Sequence, residues 1–274
     1  MTTVKGKSIL AGLPGFVKDP DPALYWSDNY VVVDFETTTE LKGSPLAEGN
    51  RIILACWETA DGVASHTFGS EFEQGALVEA CRRADFIVAH NAKFELGWLK
   101  RCGVDLRKVV PYCTMVAEHV LGGNRYSLHQ LGLDACLKRY GFAPKEGTIA
   151  KMFKAGIPTE AMPDSWLLKY CYRDVAATHE LFLAQREKLR AKSLEAINYQ
   201  RNLVTPALAD IEFNGMQLDE KVVLDMEKEY EDAYAQLNDQ FQRFCEGASP
   251  GSPVQMREFI YGKLGFRVPT DHIG

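Results

Sequence analysis

Apolar and polar positions follow two different rhythms along the chain. Between Asn29 and Phe68 three short runs are rich in β-branched and aromatic residues: NYVVVDF (Asn29 to Phe35), RIILACWE (Arg51 to Glu58) and VASHTF (Val63 to Phe68). Each is bounded by turn-forming residues such as Asp61 and Gly62, so each predicts a strand, and together they predict a meander. The first is apolar at successive positions, as expected of a central strand covered on both faces. DFIVAH (Asp85 to His90) predicts another buried strand. Three–four spacing predicts helices over Glu73–Arg83, Phe94–Arg101, Thr114–Leu121 and Ser127–Tyr140. After the loop AGIPTEAMP, Asp164 is placed as the cap of a long helix running through Tyr170 and Asp174 to about Leu189.

Early strands followed by interspersed helices predict an α/β layer with a mixed sheet. The first 27 residues, rich in Pro and Gly, predict an extended arm. From Ala196 onward the pattern is helical, with a turn at Asn214–Gly215. Val223, Met226, Tyr230, Ala233, Leu237 and Phe244 then mark an amphipathic helix, too broken at Gln240 for a coiled coil.

Composition narrows the class. No apolar run approaches the roughly 20 residues that span a bilayer, and the N-terminus has no secretory h-region, so no membrane partner is expected. Seven scattered cysteines without a C-x-x-C pair predict reduced, mostly buried thiols and a cytoplasmic location. Net charge is −6, but nine acids against three bases between Met216 and Glu246 carry that imbalance, leaving the rest neutral. Such a balance neither requires nor excludes nucleic acid, because an enzyme gripping a few nucleotides needs little basic surface.

Candidate chemistry lies in carboxylates. In VVVDFETT an apolar strand ends on Asp34 and Glu36, which alternation puts on one face with Phe35 on the other. Two carboxylates ending a buried strand repel each other unless a cation or a shared proton intervenes. Hard oxygens on one face suit Mg²⁺ or Mn²⁺. In DFIVAHNAKFELGWL a strand breaks into a helix carrying Asn91, Phe94 and Glu95, and in LLKYCYRDVAATHELF, Tyr170 and Asp174 share a helix face. Taken singly, each pattern also fits an ordinary exposed acid.

In this order the three patterns resemble the exonuclease motifs of the DEDD superfamily, in its tyrosine subgroup. They are most similar to the 3′–5′ proofreading domain of family A (DNA polymerase I-like) DNA polymerases. Asp34, Glu36 and Thr37 match D-x-E-T; Asn91 and Phe94 match N-x-x-[FY]-D, which here ends in Glu95; Tyr170 and Asp174 match Y-x-x-x-D. The resemblance implies a ribonuclease H-like mixed sheet flanked by helices over residues 28–192, and a two-metal hydrolysis of 3′-terminal phosphodiesters. It implies Asp34 as bridging ligand, Glu36 and Asp174 on the nucleophile-side cation, and Glu95 supporting the second. Tyr170 would orient the attacking water, since a phenol with a pKa near 10 is a poor base at neutral pH. Thr37 and Asn91 are candidate contacts for the terminal nucleotide, and Phe94 a wall of the site. Glu95 carries one methylene more than the family's Asp, which predicts an altered metal preference.

Residues 193–274 resemble the segment leading into a family A polymerase and the base of its thumb. The chain stops at Gly274 without palm or fingers motifs, so a polymerase half is expected on the same parent chain or as a separate subunit. The loose I-P-x-x-x-x-P-x-x-x-L-x-x-Y approach to Tyr170 suggests a phage source, hence host cytoplasm. The substrate implied is DNA with a single-stranded or frayed 3′ end. The alternatives are a ribonuclease D-like exoribonuclease, or a catalytically silent binding or scaffold module.

Overall fold

The structure is a computed structural model that describes residues 21–69, 75–143 and 147–268. Five strands form one mixed sheet: β1 (Tyr30–Thr37), β2 (Ile52–Thr59), β3 (Ala64–Phe68), β4 (Phe86–Ala89) and β5 (Pro111–Cys113), in the order β3-β2-β1-β4-β5. The meander β1–β2–β3 is antiparallel, while β4 and β5 run parallel to β1. The α/β class and mixed sheet are those expected. β5 escaped the sequence pattern because three residues are too few to display an alternation.

Alternation along β1 divides the core. Val31, Val33 and Phe35 face a cluster that includes Leu77, Cys81, Leu96 and Trp98 from α1 (Ala76–Arg83) and α2 (Lys93–Arg101). Residues 73 and 74 of the expected first helix lie outside the described residues. Tyr30 and Val32 face the opposite cluster, built on Leu167, Cys171, Val175 and Phe182. These belong to a long helix, Asp164–Ala191, which follows α3 (Thr114–Leu121), α4 (Leu128–Leu131), α5 (Leu133–Tyr140) and α6 (Gly147–Lys154) and is therefore α7. The expected helix over Ser127–Tyr140 is broken because Gly132 takes an extended conformation (φ −59, ψ 150). Asp164 is the first residue of α7 rather than its cap, a position held by Pro163.

Packing at the two ends of the first unit bears on its boundaries. The part of the expected arm that is described, residues 21–27, is packed rather than extended: Tyr25 is buried, its hydroxyl donates to Pro111 O, and its ring meets Phe86, Tyr112 and Tyr199 edge-on or tilted. Residues 1–20 lie outside the described residues. The chain divides into compact units at Gly215/Met216. The reason is α8 (Glu195–Asn214), whose Tyr199 and Ala209 enter the two clusters of the first unit. Asn202 of α8 is fully buried; its Oδ1 accepts from the edge of the sheet at Cys113 N (2.7 Å) and its Nδ2 donates to Asn198 O. Gly215 ends α8 at φ 66, ψ −164, a conformation reserved for glycine.

In the second unit, the Asp219 carboxylate caps α9 (Glu220–Phe244) by accepting from Val222 N, and no residue of α9 is buried. Phe244 meets Phe259 edge-on (5.7 Å), and Lys263 pairs with Glu246 (2.5 Å). Among the described residues, no helix is long and apolar enough to cross a membrane. None of the seven cysteines is in a disulfide.

Candidate active site

The site starts from the alternation of β1. With Phe35 committed to the α2 side, Asp34 and Glu36 face α7, opposite Cys56 and Leu54 of β2 in the strand register. The register slips between Glu36 and Thr37, a bulge of the kind that re-aims side chains at a strand end. Asp34 is half-buried, whereas Glu36 and Thr37 are buried.

Helix α7 crosses this end of the strand. Its Cys171, fully buried, places Sγ 3.6 Å from both the backbone O and Oδ2 of Asp34. Potential ligand atoms of Asp34, Glu36 and Cys171 all lie within 4.8 Å of one another. Tyr170 precedes Cys171, and Asp174 follows it by three residues, so both flank the contact with β1. Asp174 is buried, and the half-buried Tyr170 ring sits edge-on to Phe153 of α6 at 6.4 Å. The rotation of α7 is fixed one helical stretch further on, where Gln185 Nε2 donates to Thr114 O and to Glu118 Oε2, both at 2.9 Å.

The third contribution comes from the turn after β4. Asn91 adopts a left-handed conformation (φ 67), which asparagine tolerates, and its carbonyl accepts from Phe94 N at 2.9 Å. The chain thereby folds straight into α2 and turns Glu95 inward. Glu95 is 4% exposed and its Oε2 has no hydrogen-bond partner. Burial, and then the charge of Asp34, push its carboxyl well above the ordinary carboxylate range, against a smaller pull from its own backbone N–H. A buried carboxylate in this position is costly alone and is relieved by a cation or a proton. With Asp34 and Glu36 supplying further hard oxygens, this donor set fits divalent cations.

The remaining sequence candidates line an adjoining wall. Thr37 Oγ1 donates to Thr38 O (2.9 Å), so its hydroxyl proton is already used. Thr37 and Phe94 close on Gly43, where an added Cβ would stand 2.5 Å from Thr37 Oγ1 and 3.5 Å from the Phe94 ring. Asn91 is exposed, and with Phe94, Leu41, Lys42 and Lys93 it borders a cleft of about 190 Å³. That cleft lies beside the carboxylates rather than over them. Cys171 is the residue that the sequence left unremarked. Its only signal there was its place between Tyr170 and Asp174, and apolar burial explains a cysteine equally well.

Comparison with known proteins gives the family and the fold. The family model of the DNA polymerase A type described as 3′–5′ exonuclease matches residues 26–190. The solved POL domain of Pol1 from M. smegmatis, in complex with DNA primer-template and dNTP, superposes with a TM-score of 0.59 at 17% identity, over 88% of this chain. The chain spans only 38% of that Pol1 chain. NrnC of Brucella melitensis superposes with a TM-score of 0.50 at 18% identity, over 70% of this chain and 88% of its own. Its structure with bound Mg²⁺ covers 73% and 94% at the same TM-score. At these identities the likeness is one of fold. No curated protein matches the chain.

Proposed function

The chain belongs to the DNA polymerase A-type family of 3′–5′ exonuclease domains, which is of the DEDD kind, and on that premise we propose that it trims DNA from the 3′ end in proofreading for a family A polymerase. The observation that carries the site assignment is the meeting of Asp34 and Glu36 on one face of β1, with the buried Glu95 in the field of Asp34. In this proposal Asp34, Glu36 and Asp174 would hold one divalent cation, and Asp34 with Glu95 a second. Mg²⁺ or Mn²⁺ held there would lower the pKa of the attacking water and offset charge on phosphorus and the departing oxygen.

The chain's own groups do the positioning. The Tyr170 hydroxyl holds the water in line with the scissile bond. The water oxygen bonds to phosphorus as the bond to the neighbouring 3′ oxygen breaks, and that oxygen gains a proton. The products are a 5′-mononucleotide and a strand shortened by one. Asn91 and Thr37 contact the terminal nucleotide, Phe94 forms its wall, and the adjoining cleft takes the strand behind it. The substrate is a single-stranded or frayed end, delivered from a polymerase domain on the same parent chain or a separate subunit.

A competition assay with equal amounts of 3′-labelled single-stranded DNA and RNA tests the substrate. Faster release of deoxynucleoside 5′-monophosphates supports the proposal. Preference for RNA would replace it with an exoribonuclease of the ribonuclease D type.

A further inference from the structure

The carboxylate pair has a sulfur beside it that hard-cation chemistry does not require. Mg²⁺ takes oxygen and leaves thiols alone. Yet Cys171 joins Asp34 and Glu36 in a cluster whose potential ligand atoms all lie within 4.8 Å of one another. We propose that Asp34, Glu36 and Cys171 form a site for a thiophilic divalent cation, Zn²⁺ or its heavier analogue Cd²⁺, that competes with the cation of catalysis. The proposal rests on Asp34 and Glu36 being cation ligands, as above.

Two observations support it. A tetrahedral Zn²⁺ with Zn–S of about 2.3 Å and Zn–O of about 2.0 Å holds its sulfur and oxygen ligands about 3.5 Å apart. The separation of Cys171 Sγ from Asp34 Oδ2 is 3.6 Å, so the two atoms already stand at a ligand–ligand distance. Glu36 offers a carboxylate oxygen within 4.8 Å of both. Glu95, buried and with a partnerless Oε2, stands in the field of Asp34, outside the cluster itself. The second thiol nearby, Cys56, stands opposite Asp34 in the strand register but falls outside the cluster. Occupation forms a metal–sulfur bond and sends the thiol proton to water, and no electron changes hands. A site holding this ion keeps Asp34 and Glu36 from the hard cation, which makes the nuclease sensitive to zinc through a residue on α7.

The test uses the full chain, stripped of metal, and titrates Cd²⁺ while following the ultraviolet charge-transfer absorption of a cadmium–thiolate bond. The wild type and Cys56→Ala are expected to give a band that saturates at one ion per chain. Cys171→Ser and Cys171→Ala are expected to lose the band and to bind Cd²⁺ at least about tenfold more weakly. Asp34→Asn is expected to weaken binding with the band still present at saturation. No band in the wild type overturns the proposal whatever the variants do. A band that survives in folded Cys171 variants, or disappears with Cys56→Ala, overturns it too. Nuclease activity without the band would remove this site and leave the exonuclease standing, whereas the band without nuclease activity would do the reverse.

Discussion

Glu95 on α2 is buried in the field of Asp34 on β1, and its Oε2 has no hydrogen-bond partner. Folding therefore raises the Glu95 pKa above its ordinary value of 4.5, first through burial and then through the Asp34 charge. Above pH 4.5 the unfolded chain releases this proton while the folded chain retains it, so stability falls as pH rises until the raised value is passed. Metal-free protein should lose stability from pH 4.5 toward neutrality, and Glu95→Gln should remove much of that slope and stabilise the fold at pH 7. Urea unfolding midpoints across this range, with a chelator present, measure it. A Glu95→Gln variant less stable than wild type at neutral pH would contradict the burial argument.

The length of Glu95 is a separate matter. Glu95→Asp withdraws the carboxylate by about one C–C bond, in a site where geometry matters at about 0.5 Å. The ratio of Mg²⁺- to Mn²⁺-supported rates should change by about tenfold. Identical metal profiles for the two proteins would show that the extra methylene has no consequence.

Much of this arrangement was legible in the sequence, and the reasons are local. Asp34 and Glu36 were readable because period-two alternation fixes their face once Phe35 is committed to the core. Thr114–Leu121 was readable to the residue because its apolar spacing has no competitor. What escaped depends on long-range contacts. β5 is defined only by its pairing with β4, and α8 joins the first unit through contacts distant in sequence, among them Tyr199 and Ala209 in its cores and Asn202 at Cys113 N. Cys171 shows its relation to Asp34 only when α7 is laid across β1.

The wall beside the carboxylates rests on Gly43. It has φ +74, its carbonyl accepts from Trp98 Nε1 at 3.1 Å, and an added Cβ would meet Thr37 Oγ1 at 2.5 Å. Gly43→Ala should cost about 1–2 kcal/mol of stability and displace Thr37 and Phe94. Thermal unfolding and single-strand binding should both report the loss. Unchanged binding would separate this wall from the substrate.

Tyr170 is assigned a positioning task. Tyr170→Phe keeps the ring against Phe153 and removes only the hydroxyl. Turnover should fall by about a hundredfold, while the concentration of Mg²⁺ giving half-maximal rate should barely move. A large shift in that concentration would mean that the hydroxyl supports the cations instead.

Metal-dependent 3′–5′ hydrolysis anchored on Asp34 can be followed with 3′-labelled single-stranded DNA, with and without Mg²⁺ or Mn²⁺, beside the Asp34→Ala variant. Wild-type protein should release 5′-mononucleotides only when metal is present, and Asp34→Ala should be slower by on the order of a thousandfold. Absence of hydrolysis by the wild type, or metal-dependent hydrolysis that survives Asp34→Ala, would rule out an exonuclease centred on Asp34.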